Sequence, residues 1–392
     1  MEQGKDTDFY LLDDLLTEEE RFTRRSIREF VTREFMPKIK QSFRDARFPL
    51  EVVPGLGKLG VFGSGIEGYG CNKVSGIAYG LIMQELERGD SGLRSFASVQ
   101  SSLTMTAIYA FGSEEQKHRW LPLLASGEKI GCFGLTEPDF GSNPSGMRTT
   151  ALRAGRHYIL NGSKMWITNG SLADLAVVWA KTDKDDPKSI RGFLVEKGTP
   201  GFTAKDIHGK LSMRASITSE LKFDECKVPE DHILPTTDGL RSPLTCLMHA
   251  RYSIAWGALG AAMACYEEAL GYARERIQFS RPIAGYQLIQ ERLVWMLSEI
   301  TKAQLLAWRM GKMQDNGSLK HYHVSLAKMN NVKIALEIAR GCRDILGANG
   351  ITDDYQCMRH MNNLESVYTY EGTNNIHTLI LGEHITGIKS FE

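Results

Sequence analysis

The chain has 392 residues, and its 47 Lys+Arg balance 47 Asp+Glu, so a zero formal charge argues against a nucleic-acid or acidic-membrane partner. A chain of this length buries a large core over two or three domains, and no apolar run in it reaches the length of a membrane span. Its first six residues are polar and acidic, unlike a signal or transit peptide, and its seven cysteines are scattered without a Cys-x-x-Cys, which excludes a disulfide framework or a zinc site.

Residues 1–130 are expected to be mainly helical. Thr17-Glu18-Glu19-Glu20 is an acidic N-cap signal, followed by Phe22, Ile27, Phe30, Val31 and Phe35 at helical spacing. Helical periods return over 78–88, 97–111 and 114–125, after a glycine-rich break at 60–70. In residues 131–235 the texture changes to short runs at 158–160, 175–180, 192–196 and 220–223. Gly, Pro, Asn and Asp bound these runs, which predicts antiparallel strands joined by turns. From 236 to 392 four long helical segments are expected, at 244–278, 284–314, 320–346 and 372–389. The fold class is mainly α with a central β domain.

Nucleotide motifs are missing. No Gly-x-Gly-x-x-Gly follows a strand and no Walker loop occurs. His321 and His323, two apart, do not share a helix face, so they read as a surface pair and no metal is expected. Three stretches carry chemistry instead. The loop Gly134-Leu135-Thr136-Glu137-Pro138-Asp139-Phe140-Gly141-Ser142-Asn143 offers amides, hydroxyls and glycines to a polar heterocycle or pyrophosphate, or is simply a polar loop. Trp166-Ile167-Thr168-Asn169 sets a π-face beside a hydroxyl, or buries a tryptophan at a sheet edge. Glu371, in Val367-Tyr368-Thr369-Tyr370-Glu371-Gly372-Thr373, has no Lys or Arg in the sequence from 366 to 388. Apolar surroundings without a cation raise a carboxyl pKa and make a general base; Thr373 reads equally as the N-cap of a closing helix.

These stretches occur in order with Lys164-Met165, Arg276-Ile277-Gln278-Phe279 and Leu346-Gly347-Ala348-Asn349-Gly350. The series resembles the acyl-CoA dehydrogenase family over nearly the whole chain. The likeness is nearest to its glutaryl-CoA branch through Glu85-Leu86-Glu87-Arg88-Gly89-Asp90-Ser91-Gly92-Leu93-Arg94-Ser95. Ala348 and Asn143 depart from the more usual Gly and Asp. The resemblance implies an N-terminal helical domain (1–130), a middle antiparallel β domain (131–235) and a C-terminal four-helix bundle (236–392).

It also implies FAD. Phe133, Leu135, Thr136, Gly141 and Ser142, with Trp166, Ile167 and Thr168, would hold its isoalloxazine ring and pyrophosphate. Arg276, Phe279, Gln287 and the run Asp344, Ile345, Leu346, Gly347 and Ala348 would complete the site across a subunit interface. Thr373 and Phe391 would close it. Ser142, Leu244, Met248, His249 and Arg251 would contact CoA, with Gly372 near the thioester.

In the family scheme Glu371 would take the α-proton, with its own N–H hydrogen-bonded to the thioester carbonyl. Arg94, beside Ser95 and Ser98, would bind a distal carboxylate; its other reading is an ion pair with Glu87 or with Asp90 at i−4. Glu87, two helical turns from Arg94, and Tyr370 would join it at that end of the pocket. The implied reaction is oxidative decarboxylation of glutaryl-CoA to crotonyl-CoA through glutaconyl-CoA, with electrons leaving to electron-transfer flavoprotein. Stopping at glutaconyl-CoA, or acting on another short acyl-CoA, are the alternatives. A homotetramer in a bacterial cytoplasm or a mitochondrial matrix is the implied setting.

Overall fold

The computed structural model describes residues 7–186 and 188–390. Helices α1 (Glu18–Phe30), α2 (Met36–Asp45), α3 (Val53–Lys58), α4 (Gly76–Gly89), α5 (Ser91–Ser98), α6 (Thr106–Phe111) and α7 (Glu114–Ala125) come first. The acidic start of α1 is a full capping box: the Glu20 amide donates to Thr17 Oγ1 and the Thr17 amide to the Glu20 carboxylate. Between α5 and α6 the helix widens into a π-turn stretch, Val99–Met105, so the period expected over 97–111 runs from α to π winding and back.

A seven-stranded sheet follows: β1 (Gly131–Gly134), β2 (Thr150–Ala154), β3 (His157–Thr168), β4 (Leu175–Lys181), β5 (Ile190–Glu196), β6 (Phe202–Asp206) and β7 (Thr218–Pro229). Its order is β1-β4-β2-β3-β7-β6, with β5 on the far side of β4. Most neighbours are antiparallel, as the alternating runs predict, but β1 lies parallel to β4, with Gly131 opposite Leu175. A four-residue strand with glycine at both ends carries no readable alternation, and its register comes from the β4 edge alone.

Helices resume with α8 (Arg241–Glu275). A small ribbon, β8 (Ile277–Gln278) with β9 (Arg281–Pro282), leads to α9 (Gln287–Asp315), α10 (His321–Ile345), α11 (Cys357–Thr369) and α12 (Asn374–Thr386). This C-terminal part thus has one helix more than the four periodic segments. The α11 core face is Cys357, His360, Asn363, Leu364 and Val367, so two polar residues sit where the pattern looks for apolar ones. Thr373 caps α12 as expected, accepting from the Ile376 amide. All seven cysteines are free thiols, six of them buried.

Helix α8 is the axis of the molecule. Its middle is fully buried from Tyr252 to Tyr266 and rich in Ala and Gly, which brings its backbone hard against α4. A Cβ on Gly260 would lie 1.9 Å from the Gln84 carbonyl oxygen, and one on Gly257 2.2 Å from Glu87 Oε2. Only glycine permits that approach, and it places α4, α5 and α8 around one polar centre.

Candidate active site

Helix α4 stops at Asp90, which is fully extended (φ −166°, ψ 144°) and caps α5 by accepting from the Gly92 amide at 2.7 Å. The helix is therefore not continuous from Glu87 to Arg94, and the two-turn spacing does not bring them together. They meet across the kink: Arg94 Nε donates to Glu87 Oε2 at 2.6 Å, and both side chains are fully buried. Asp90 is not the partner of Arg94, because its second oxygen takes Arg359 (2.6 Å) and Asn363 (2.9 Å), both from α11. Arg94 Nη2 instead donates to the Tyr370 hydroxyl, and the guanidinium lies 5.6 Å from the Tyr370 ring centroid. Arg94 Nη1 is buried with no partner among the described residues.

Burial works against the charge on Arg94, but Glu87, Tyr370 and Glu371 raise its pKa well above the usual range. Burial also lifts the Tyr370 phenol. Ser95 is buried at the α5 surface, while the Ser98 hydroxyl is spent on Ser253 at 2.7 Å.

Tyr370, Glu371 and Gly372 bridge α11 and α12. Glu371 is in the left-handed region (φ 53°) and Gly372 at φ 100°. The isolation of Glu371 from cations holds only along the sequence: Arg94 from α5, Arg251 from α8 and Lys328 from α10 all bear on it. Burial still dominates and raises the carboxyl pKa, with those three cations opposing. Glu371 Oε2 is buried and, like Arg94 Nη1, has no partner among the described residues. Lys328 is the residue that sequence reading missed. Its signal was available, since it sits among Val324, Ala327 and Asn331 on the buried face of α10, where a lysine is out of place.

A second group forms at the β domain. The loop after β1 is staked to β3 by a buried ion pair: Lys164 Nζ donates to Glu137 Oε1 at 2.8 Å and to the Leu135 carbonyl at 3.1 Å. Glu137 also accepts from the Arg148 and Thr149 amides. Burial draws Lys164 down to about 8 against the pull of Glu137. The Met165 amide donates to the Thr136 carbonyl, joining loop and strand again.

Register slips between Lys164 and Ile167, and Trp166 in this bulge adopts φ 64°. Its indole is 60% exposed, so it is not a core tryptophan. Thr136 and Thr168 are half-buried, Gly141 and Ser142 exposed, and Phe133, Leu135 and Ile167 buried in the packing beneath. An open indole face, two hydroxyls and a staked loop of amides fit a flavin ring with its pyrophosphate.

The remaining candidates lie elsewhere. On α8, Leu244 is exposed, and Met248, His249 and Arg251 are half-buried on the way to Glu371. Arg276, Phe279, Gln287, Gly347 and Ala348 are exposed, and no hydrogen bond among the described residues joins them to the 133–142 loop. Phe279 is 91% exposed. Asp344 is engaged by Arg292 and Arg343, and the Ile345 and Leu346 side chains are packed in the bundle core, so only their backbone is available to a cofactor. Phe391 lies outside the described residues.

Helical domains on either side of a β domain, with a buried carboxylate, define one class of protein, and the chain is a member of the acyl-CoA dehydrogenase family. Models of that family match it throughout: the N-terminal domain over residues 17–128, the middle domain over 132–226 and the C-terminal domain over 237–386. The chain is 36% identical over 375 residues to an acyl-CoA dehydrogenase of Bacillus subtilis (strain 168), covering 95% of this chain and 99% of that one. It is 34% identical over 382 residues to the glutaryl-CoA dehydrogenase of Desulfococcus multivorans, covering 95% and 98%. The crystal structure of a glutaryl-CoA dehydrogenase from Mycobacterium smegmatis in complex with FADH2 superposes with a TM-score of 0.97 at 51% identity, covering 99% of each chain. The chain is a flavoprotein oxidoreductase whose cofactor is FAD.

Proposed function

We propose that the chain oxidises glutaryl-CoA and decarboxylates the product, releasing crotonyl-CoA and carbon dioxide. The observation that carries this reading is the Glu87–Arg94–Tyr370 cluster, a buried guanidinium with one N–H pair unspent. A buried donor without an acceptor costs about 1–3 kcal/mol, and more when charged, so the site favours a ligand that brings an anionic oxygen. The relatives named for glutaryl-CoA support the same choice.

Glu371 takes the α-proton. Its raised pKa suits a base that must accept a proton from carbon and later give one back. The Glu371 N–H has no acceptor among the described residues and is available to the thioester carbonyl, where it stabilises the charge that develops on oxygen. FAD, when bound, supplies the acceptor for the β-hydride. Thr136, Thr168 and Trp166 would seat its ring, with Phe133, Leu135, Gly141, Ser142 and Ile167 shaping the cradle. Arg276, Phe279, Gln287, Thr373 and the 344–348 backbone would complete it from a second copy.

Leu244, Met248, His249 and Arg251 would line the CoA path. Tyr370 and Glu87 hold Arg94, and through it the distal carboxylate, so that the breaking C–C bond aligns with the conjugated thioester. Glu371 then returns a proton to the four-carbon product. The exposed apolar side chains Phe279, Leu288 and Val294 support assembly of several copies, which we take to be a homotetramer. Electrons would leave to electron-transfer flavoprotein.

Product analysis tests the reading. Incubation with glutaryl-CoA and an artificial electron acceptor is expected to yield crotonyl-CoA with one carbon dioxide per turnover. Glutaconyl-CoA as the end product would remove the decarboxylation, and faster turnover of butyryl-CoA than glutaryl-CoA would remove the substrate assignment.

A further inference from the structure

Three consecutive carbonyls around the base end on two cations, a buried lysine and a half-buried arginine. Lys328 Nζ donates to the Tyr370 oxygen at 3.0 Å and to the Gly372 oxygen at 2.7 Å, and Arg251 Nε donates to the Glu371 oxygen at 2.7 Å. Lys328 is 1% exposed, and no carboxylate pairs with it within salt-bridge distance among the described residues. A buried lysine spent wholly on backbone carbonyls is costly for stability alone, which points to a role in the segment it grips. That segment needs gripping, because Glu371 carries a side chain at φ 53°, where L residues are strained.

We infer that Lys328 is a positioning residue for the base: it clamps the carbonyls on either side of Glu371, fixing the left-handed turn that aims the carboxylate. The inference rests on Glu371 being the base.

The groups bearing on this carboxylate are Tyr79 on α4, Arg94 on α5, Arg251 on α8, Lys328 on α10 and the adjoining Tyr370, with His377 of α12 beside Gly372. His377 is held neutral, drawn to about 3 by burial and by Lys328 and Arg251. Burial pulls Lys328 to about 7, with Glu371 opposing. Lys328 is therefore the cation of this set whose charge changes within the ordinary working range. A positive Lys328 lowers the Glu371 pKa, so its removal shifts the acid limb of proton abstraction to higher pH.

The experiment compares holoenzymes of wild type, Lys328→Met, Lys328→Arg and Glu371→Gln. It reads flavin bleaching by glutaryl-CoA and by butyryl-CoA across pH, and deuterium wash-in at the substrate α-carbon. Lys328→Met is expected to slow both by about a hundredfold, the scale of a misplaced reacting group, and to move the acid limb up by about one pH unit. Lys328→Arg, which keeps the charge, is expected to recover much of the rate with the limb at or below its wild-type position.

Wild-type rates with an unmoved limb in Lys328→Met overturn the inference, as does a Lys328→Arg limb displaced upward like that of Lys328→Met. If Lys328→Met does not retain FAD, the Lys328→Arg limb decides by the same criterion. Glu371→Gln separates the two readings. Undiminished wash-in there removes the base assignment itself, whereas its loss beside a normal Lys328→Met removes only the role of Lys328.

Discussion

In the proposed reaction, Arg94 is the residue on which selectivity turns. It has spent Nε on Glu87 and Nη2 on Tyr370, and its remaining nitrogen is buried and unpaired. Arg94→Gln is expected to lower kcat/KM for glutaryl-CoA relative to butyryl-CoA by about a hundredfold, the worth of a charged hydrogen bond in a dry site. Equal losses on both substrates would mean that the arginine serves the fold. Tyr370→Val removes the acceptor of Arg94 Nη2 without touching Glu371. We expect oxidation to persist while glutaconyl-CoA accumulates in place of crotonyl-CoA, read by chromatography of the thioester products. The raised pKa of Glu371, our proposed base, was legible from its apolar, cation-free stretch, but for an incomplete reason. Its pKa rises because burial outweighs three cations that only the fold brings to it.

At the scale of elements, the crossing of α4 and α8 decides where that chemistry sits. Gly257 leaves room for Glu87 Oε2 at a spot where a Cβ would come within 2.2 Å, and within 3.2 Å of Arg94 Cγ and Cδ. Gly257→Ala must push the ion pair aside or spread the helices, a change that costs about 1–3 kcal/mol. A lowered Tm with a loss of glutaryl-CoA preference larger than the loss on butyryl-CoA is the expected result. An alanine variant with wild-type Tm and selectivity would show that the crossing is slack. Elements with simple periods were readable in advance: α7 falls on 114–125 as expected, and Thr17 and Thr373 cap the helices they were assigned to. The kink at Asp90 and helix α11 were not, because both are stabilised by polar groups far apart in sequence. Asp90 reaches Arg359 and Asn363 across more than 260 residues.

For the whole molecule, apolar surface is left uncovered by internal contacts, part of it at the proposed flavin site. Trp166, Phe279 and Leu288 stay exposed in the single chain. A ligand that binds only the folded state stabilises it by mass action, about 4 kcal/mol at a thousandfold excess over Kd. Stripping FAD is therefore expected to lower Tm by several degrees, with recovery on adding it back, measured by calorimetry of apo and reconstituted protein. An apoprotein that melts with the holoprotein would argue that loop 134–142 is set by the Lys164–Glu137 pair alone.

The order of helical, β and helical regions and the caps follow from the linear sequence, because each depends on spacing or on neighbours within a few residues, and the proposed flavin loop and base were singled out on the same kind of local signal. The tertiary structure alone decided what surrounds those residues. Asp90 went to Arg359 instead of Arg94, Trp166 faced outward on a bulge, and Ile345 and Leu346 turned into the core. Lys328 came to hold the carbonyls on either side of Glu371 from α10, more than forty residues away in sequence. Such contacts depend on which buried charges find one another when helices cross. In a low-dielectric interior a charge must take whichever partner the packing brings within reach, and no local pattern encodes that choice.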